Sequence, residues 1–127
     1  MRLLLDTCTL IWHYENSPSL SMAAKTAVNS TNNRIVISVA TLWEMSIKVA
    51  RGKLSLGASV AEIISRYETQ GAAILPVCEN HALGIGSLPD IHCDPFDRML
   101  VSQARCERLT LVTDDTNIMQ YPVDLLW

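Results

Sequence analysis

Carboxylates are the side chains of this sequence whose types and positions best support chemistry. Their oxygens are the ligands that Mg²⁺ prefers, and one or two such ions can activate a water and neutralise the oxygen that leaves a phosphodiester. That reaction needs no histidine, cysteine or serine. The sequence therefore predicts metal-dependent phosphodiester hydrolysis, provided that folding gathers these acids: Asp6, Glu44, Asp97 and Asp115.

Asp6 and Asp115 stand at the ends of predicted strands. Asp6 directly follows the apolar run 3–5, and Asp114 and Asp115 directly follow the run 109–113. In an open parallel sheet, binding sites form outside the carboxyl ends of the strands. A structural role is equally open for each acid. Asp6 can cap a helix that begins near position 7, and Asp114 or Asp115 can cap a turn.

Asp97 lies on the apolar side of a predicted helix that Asp94 caps. On a helical wheel it falls between Leu100 and Val101, whereas Ser102 lies on the polar side. A carboxylate directed inward is costly unless a metal ion, a cation or hydrogen-bond donors meet it, which favours a functional role. The alternative is a first-turn acid that the helix dipole stabilises. Asp94 itself is an accessory candidate for the same site.

Glu44 lies on a narrow polar stripe of another predicted helix, together with Thr41, Lys48 and Arg51. A solvated stripe with a Glu44–Lys48 ion pair at i,i+4 explains this pattern, and the pattern by itself favours that interpretation. A polar stripe between apolar flanks can also line a cleft. The helical spacing alone therefore does not assign Glu44 to the site.

The elements that must position these acids alternate between strand and helix. Strands are predicted at 2–5, 34–37, 73–75 and 109–113, with an edge strand at 123–126. Helices are predicted at 9–14, 21–28, 39–51, 60–69, 79–83 and 94–108. This alternation predicts one α/β domain over residues 1–127, with a mostly parallel sheet between two helical layers, a three-layer α/β/α sandwich.

Composition limits the possible classes of protein. Hydrophobic residues make up 49% of the chain, too many for disorder, and no apolar run is long enough to span a membrane. No secretory signal precedes Asp6, so we expect a cytoplasmic protein. In that reducing compartment we expect the four cysteines to be free thiols that pack in the core as small hydrophobic residues. The net charge of −3 is unusual for a nucleic-acid binder, unless divalent ions reverse the field where the acids cluster.

Motifs spread over the whole chain carry a resemblance to a known family. They are LLLDT at 3–7, SVATLWE at 38–44 with Lys48 and GKL at 52–54, HCDPFDRML at 92–100 with QA at 103–104, and LVTDD at 111–115. Together and in this order they resemble PIN domains, particularly the VapC-type toxins of bacterial toxin–antitoxin pairs.

The resemblance implies a Rossmann-like fold and an endoribonuclease that depends on Mg²⁺ or Mn²⁺. Matched motif by motif, the family's acidic quartet falls on Asp6, Glu44, Asp97 and Asp115. Thr113 matches a position that assists the metal site, and Asp114 fills a variable one. The resemblance also implies a homodimer and a cognate VapB-type antitoxin whose tail enters the acidic cleft.

Three basic residues lie near these acids in sequence and are candidates for contacts with RNA phosphates, although each is also an ordinary surface residue: Lys48, Arg51 and Arg98. The cluster Trp12, His13 and Tyr14 can stack on bases, but core or dimer packing is the favoured interpretation.

Other classes of protein fit the pattern less well. A receiver-type phosphoacceptor needs paired acids after the first strand and a lysine after the last, and residues 123–127 contain no lysine. A phosphatase with an aspartate nucleophile needs a second acid two residues after Asp6, where Cys8 stands. A PIN-like scaffold that binds RNA or protein without cutting remains the alternative to the nuclease.

Overall fold

The sheet of this protein is built from five strands that all run parallel, in the order β3-β2-β1-β4-β5. The computed structural model describes residues 1–127. The strands are β1 (Arg2–Leu5), β2 (Arg34–Ser38), β3 (Ala73–Leu75), β4 (Thr110–Val112) and β5 (Leu125–Leu126). The helices are α1 (Thr7–Tyr14), α2 (Met22–Asn29), α3 (Val39–Ala50), α4 (Val60–Thr69), α5 (Glu79–Gly84) and α6 (Pro95–Glu107), with short 3₁₀ turns at Ile85–Ser87 and Ile118–Gln120.

Alternate residues of the central strand divide the core into two halves. Leu3 and Leu5 pack on the side that α1, α2, α3 and α4 cover, whereas Leu4 packs on the side that α6 covers. All three leucines are fully buried, as expected for a strand with helices on both faces. The predicted α/β/α sandwich is therefore confirmed, and every strand pair is parallel.

The register places the carboxyl ends of β1 and β4 side by side. Leu5 pairs with Val112, and the backbone N–H of Asp6 donates to the carbonyl of Val112 at 3.3 Å. The residues that follow these two strands, Asp6 and Thr113, consequently emerge next to each other at one edge of the sheet.

Element boundaries differ from the predicted ones by a few residues. Helix α1 begins at Thr7 rather than at Thr9, because the side chain of Asp6 caps it there. Strand β4 is shorter than predicted, and the last strand is only Leu125–Leu126. No helix is both long and apolar enough to cross a membrane.

Helix α6 is buried on two sides rather than one, which the helical wheel did not predict. Ser102, expected on the polar side, is buried because α5 packs over it, and its hydroxyl donates to the carbonyl of His81 at 2.6 Å. Gln103 is also fully buried, and Ser38 donates to its side-chain oxygen at 2.5 Å. These polar side chains are therefore satisfied within the protein.

Candidate metal centre

Asp6 takes the capping role that the sequence left open, and it lies at the carboxyl end of β1. It is 5% exposed at the end of β1, and its Oδ1 accepts from the backbone N–H of Thr9 at 2.7 Å, which caps α1. Its Oδ2 accepts from the hydroxyl of Thr113 at 2.5 Å. Burial raises the pKa of Asp6, against the hydrogen bonds from Thr113 and Thr9, and the charge of Asp114 raises it further. No cationic side chain pairs with this carboxylate.

Thr113 links Asp6 to Asp115. The buried hydroxyl of Thr113 donates to Asp6 and accepts from the backbone N–H of Asp115 at 3.0 Å. Asp115 then closes the following turn, since its Oδ1 accepts from the N–H groups of Asn117 and Ile118 at 2.8 and 3.1 Å. Asp114 is exposed beside them. The capping role expected for one of these two acids thus belongs to Asp115.

Asp97 lies in the first turn of α6, and its side chain is 23% exposed. Its backbone N–H donates to Oδ1 of Asp94 at 2.9 Å, which confirms Asp94 as the cap. Its own Oδ2 contacts Nε2 of His92 at 3.1 Å. Burial raises the pKa of Asp97 to about 6; the hydrogen bond from His92 opposes the rise, and nearby acids add to it, namely Asp94, Asp115 and Glu44.

Glu44 has the ion pair that its spacing predicted, with Lys48 Nζ at 3.1 Å from Oε2. The carboxylate is nevertheless not solvated, because its side chain is only 12% exposed. Its Oε1 accepts from the hydroxyl of Thr7 at 2.5 Å, which turns it toward the start of α1. The solvated-stripe interpretation of Glu44 is therefore wrong.

The fold places the predicted acids close enough to influence one another's charge. Their oxygens are still too far apart for three of them to bind one ion. Glu44 and Asp115 both raise the pKa of Asp97, and Thr113 joins Asp115 to Asp6. However, no three of these carboxylates have oxygens within 4.8 Å of one another. Each is held by its own hydrogen bonds, and unneutralised like charges repel each other.

A hard divalent cation fits this donor set. The acids supply only oxygen ligands, and Lys48 on Glu44 is the one ammonium or guanidinium group paired with any of them. Cys8 lies near the same groups. Although the residue as a whole is exposed, the protein around its thiol desolvates the sulfur, and this burial and the charge of Asp6 raise the pKa of the thiol to about 11, which favours the neutral form, a poor ligand. Oxygen-rich sites of this kind suit Mg²⁺ or Mn²⁺ rather than softer metals.

The basic residues take three different positions. Lys48 lies beside the acids, because it forms the ion pair with Glu44. Arg51 caps the carboxyl end of α3, exposed and about two turns beyond Glu44. Nη1 of Arg98 donates within the protein, to the carbonyls of Pro89 and His92 and to the Tyr121 hydroxyl.

Sequence reasoning missed two residues that hold the acids in place. His92 bonds to Asp97, and Thr7 bonds to Glu44. Thr7 had a usable signal, since it follows Asp6 at the start of a helix. His92 had only its nearness to Asp97, because its second partner, Tyr121, lies far along the chain.

The cysteines are not the buried residues that composition predicted. All four are exposed, because they occupy helix ends, a loop and an outward helical face: Cys8, Cys78, Cys93 and Cys106. The core interpretation does hold for the aromatic cluster of α1, since Trp12 packs against Trp127 with ring centroids 5.8 Å apart.

A second cluster has the shape of a metal site but is already satisfied. Ligand atoms of Cys78, His81 and Glu107 lie within 4.8 Å of one another. Nδ1 of the buried His81 accepts from the Cys78 backbone N–H at 3.1 Å, so Nε2 carries the proton and donates to Glu107 at 2.8 Å. Both ring nitrogens are used, and the cluster joins α5 to α6.

Comparisons with known proteins agree with this architecture. The sequence profile of the PIN domain matches residues 3–123. Comparison with curated protein sequences gives no match.

Solved structures of toxin–antitoxin complexes contain chains of similar fold. A chain of VapBC2 from Rickettsia felis, bound to a promoter DNA fragment, is 19% identical with a TM-score of 0.69, covering 99% of this chain and 98% of that one. A chain of VapBC-1 from nontypeable Haemophilus influenzae is 23% identical with a TM-score of 0.66, covering 99% and 97%. A chain of DNA-bound VapBC from Salmonella typhimurium is 21% identical with a TM-score of 0.67, covering 99% and 97%.

Proposed function

This chain belongs to the PIN domain family, and we propose that it is a metal-dependent endoribonuclease, the toxin of a VapBC-type toxin–antitoxin pair. One observation carries the proposal. The Thr113 hydroxyl joins Asp6 to Asp115 where β1 and β4 end, and neither Asp6 nor Asp97 is paired with a lysine or arginine. Clustered carboxylates of which only Glu44 has a cationic partner are what a divalent cation stabilises.

The residues divide into ligands and supports. Asp6 and Asp97 are proposed to hold the principal cation, and Glu44 and Asp115 to complete its shell or to hold a second one. Thr113 fixes the orientation of Asp6 through its hydroxyl, and Asp94 and Asp114 add negative charge at the rim. The bound Mg²⁺ or Mn²⁺ would activate a water and neutralise the leaving oxygen of the phosphodiester. Lys48 and Arg51, with Arg98, are proposed to position RNA phosphates.

Family membership and the complexes that contain similar chains support a proposal about partners. We propose a VapB-type antitoxin, because the similar chains come from complexes named VapBC. We propose a cytoplasmic location, which is consistent with an RNA substrate.

We also propose a homodimer, which an exposed apolar surface supports. Trp43 is 63% exposed and packs edge-on against Phe96, with ring centroids 5.1 Å apart. Val39, Val77 and Met99 continue this apolar surface, and large apolar surfaces on soluble domains mark contacts with other chains.

The test of the nuclease is cleavage of structured RNAs by the purified protein with Mg²⁺, with Mn²⁺ and with EDTA. We expect cleavage that EDTA abolishes and that leaves 5′-phosphate and 3′-hydroxyl ends. Asp97→Asn keeps the size of the side chain but removes its charge, and we expect at least about a 100-fold loss of rate, equivalent to about 2.7 kcal/mol of barrier.

The matched control is Asp124→Asn, since Asp124 is an exposed acid before β5 with no side-chain hydrogen bond. This variant should cleave like the wild type. Binding of RNA without cleavage under any metal condition would instead favour the non-catalytic PIN-like scaffold. Cleavage that survives both EDTA and Asp97→Asn would contradict the proposed site.

A further inference from the structure

We propose that His92 is a positioning residue for the metal site, which holds Asp97 in the orientation that binds the cation and is itself fixed by Tyr121 and Arg98. The proposal rests on the proposed function, because it assumes that Asp97 is a metal ligand. It adds a supporting residue from the loop before α6 and another from the segment after β4.

The hydrogen bonds around His92 run in one direction. Nη1 of Arg98 donates to the Tyr121 hydroxyl oxygen at 2.9 Å. The hydroxyl proton is then free to bond Nδ1 of His92, at 2.7 Å. Nδ1 is thereby the acceptor nitrogen, so Nε2 carries the proton and donates to Oδ2 of Asp97 at 3.1 Å. The tautomer of His92 is set by its partners.

Packing keeps this chain of bonds in place. Tyr121 is 3% exposed, and its ring lies edge-on to His92 with centroids 5.5 Å apart. The guanidinium carbon of Arg98 lies 5.9 Å from the centroid of the Tyr121 ring, and its Nη1 also donates to the carbonyls of Pro89 and His92. His92 is therefore held at three points, which are Nδ1 of its ring, its backbone carbonyl and the packing of its ring against Tyr121.

These hydrogen bonds fix the orientation of the Asp97 carboxylate. Its Oδ2 is occupied by His92, whereas its Oδ1 accepts no hydrogen bond within the protein. A ligand carboxylate that is hydrogen-bonded on one oxygen presents the other in a fixed direction, and such supporting bonds commonly change metal affinity by about 10–100-fold. Asp6 differs from Asp97 in that both of its oxygens accept hydrogen bonds, one from the Thr113 hydroxyl and one from the Thr9 N–H.

A second histidine–tyrosine pair supplies a matched control within the same chain. Nδ1 of His13 contacts the Tyr67 hydroxyl at 2.6 Å, and its Nε2 contacts the amide oxygen of Asn29 at 3.0 Å. This pair ends on a neutral amide instead of a carboxylate. It borders a cavity lined by Asn33 and Gly71, beside the amino ends of the strands and opposite the acids.

The experiment measures Mn²⁺ affinity by electron paramagnetic resonance, which reports binding without any cleavage. We expect His92→Ala to weaken Mn²⁺ binding by about 10–100-fold. His92→Gln, which can replace the donor to Asp97, should recover part of that loss. His13→Ala should bind like the wild type.

Tyr121→Phe keeps the packing of the ring but removes the hydroxyl, and it provides a test that does not depend on the stability of His92→Ala. Imidazole ¹⁵N shifts should show the Nε2–H tautomer of His92 in the wild type and a mixture of tautomers in Tyr121→Phe, with a smaller loss of Mn²⁺ affinity. Native Mn²⁺ affinity in both His92→Ala and Tyr121→Phe would overturn the positioning role alone. A wild-type protein that binds no Mn²⁺ would overturn the proposed metal site, and the positioning role with it.

Discussion

At the residue scale, burial opposes the ionisation of two acids of the candidate site, Asp6 and Asp97. Asp6 is nearly inaccessible, and the pKa of Asp97 is raised to about 6. Lys48 neutralises Glu44, but no such partner faces Asp6. Without a bound cation, ionising these carboxylates therefore costs folding free energy, and binding one recovers it.

This cost has a definite pH dependence. The carboxyl of Asp97 has an unperturbed pKa of 3.8, and in the folded protein it is about 6. Between these values the folded state binds more protons than the unfolded state, so stability falls as the pH rises from about 4 to about 6 and then levels off. The raised pKa of Asp6 acts in the same direction.

We therefore expect the melting temperature of the metal-free wild type to fall as the pH rises from about 4 to about 6, and that of Asp97→Asn to fall less. Thermal melts in EDTA at half-unit pH steps measure the difference, with Asp124→Asn as the control. If Asp97→Asn and the wild type fell in parallel from pH 4 to pH 6, the account of Asp97 would be wrong.

Part of the site can be predicted from single residues in the sequence. Asp6 and Asp115 follow strands, and Asp97 lies on the apolar side of its helix, so general rules for α/β sheets point to them. Glu44 needs the family resemblance, because its i,i+4 lysine gives it an ordinary explanation. His92 belongs to a motif that carries the resemblance, but neither route assigns it a role, since its partners depend on how a loop folds against Tyr121.

At the element scale, the contact between α5 and α6 decides which polar residues are buried. Gly84 ends α5 against α6, and a Cβ built on it would lie 2.6 Å from the hydroxyl oxygen of Ser102. That hydroxyl is held by the carbonyl of His81, so it cannot move without losing a buried hydrogen bond. A helical wheel of α6 alone cannot anticipate this contact, which is why Ser102 was predicted on the polar side.

Gly84→Ala should consequently destabilise the protein by about 1–3 kcal/mol, as overpacking of buried contacts generally does. Urea unfolding followed by circular dichroism measures this change. Gly86→Ala is the matched control, since a Cβ at Gly86 meets no atom within 4 Å. Equal stability of the Gly84 and Gly86 variants would show that the α5–α6 contact is looser than described.

At the scale of the whole molecule, the topology assembles the candidate site from residues that are distant in sequence. Strand β1 lies in the centre of the sheet with β2 on one side and β4 on the other, so the residues after β1 and β4 meet at one edge. The amino-terminal halves of α3 and α6 lie beside each other, since Trp43 packs against Phe96 and the charge of Glu44 raises the pKa of Asp97. Strand and helix periodicity predicted this alternation, but the strand order required tertiary contacts that periodicity does not contain.

The net charge of the chain bears on how RNA could approach the candidate site. A chain with a net charge of −3 repels RNA unless its acidic edge is neutralised. A divalent cation among the carboxylates would reverse the local field where the phosphate must approach. The proposed metal therefore serves substrate binding as well as chemistry.

The most direct test of this account is the location of Mn²⁺ in crystals soaked with it, read from anomalous scattering. We expect a peak bounded by Asp6 and Asp97, with Glu44 or Asp115 beside it, and no such peak in Asp97→Asn crystals grown alike. A map with no peak at this edge of the sheet, or with its peak at Cys78, His81 and Glu107, would contradict the account.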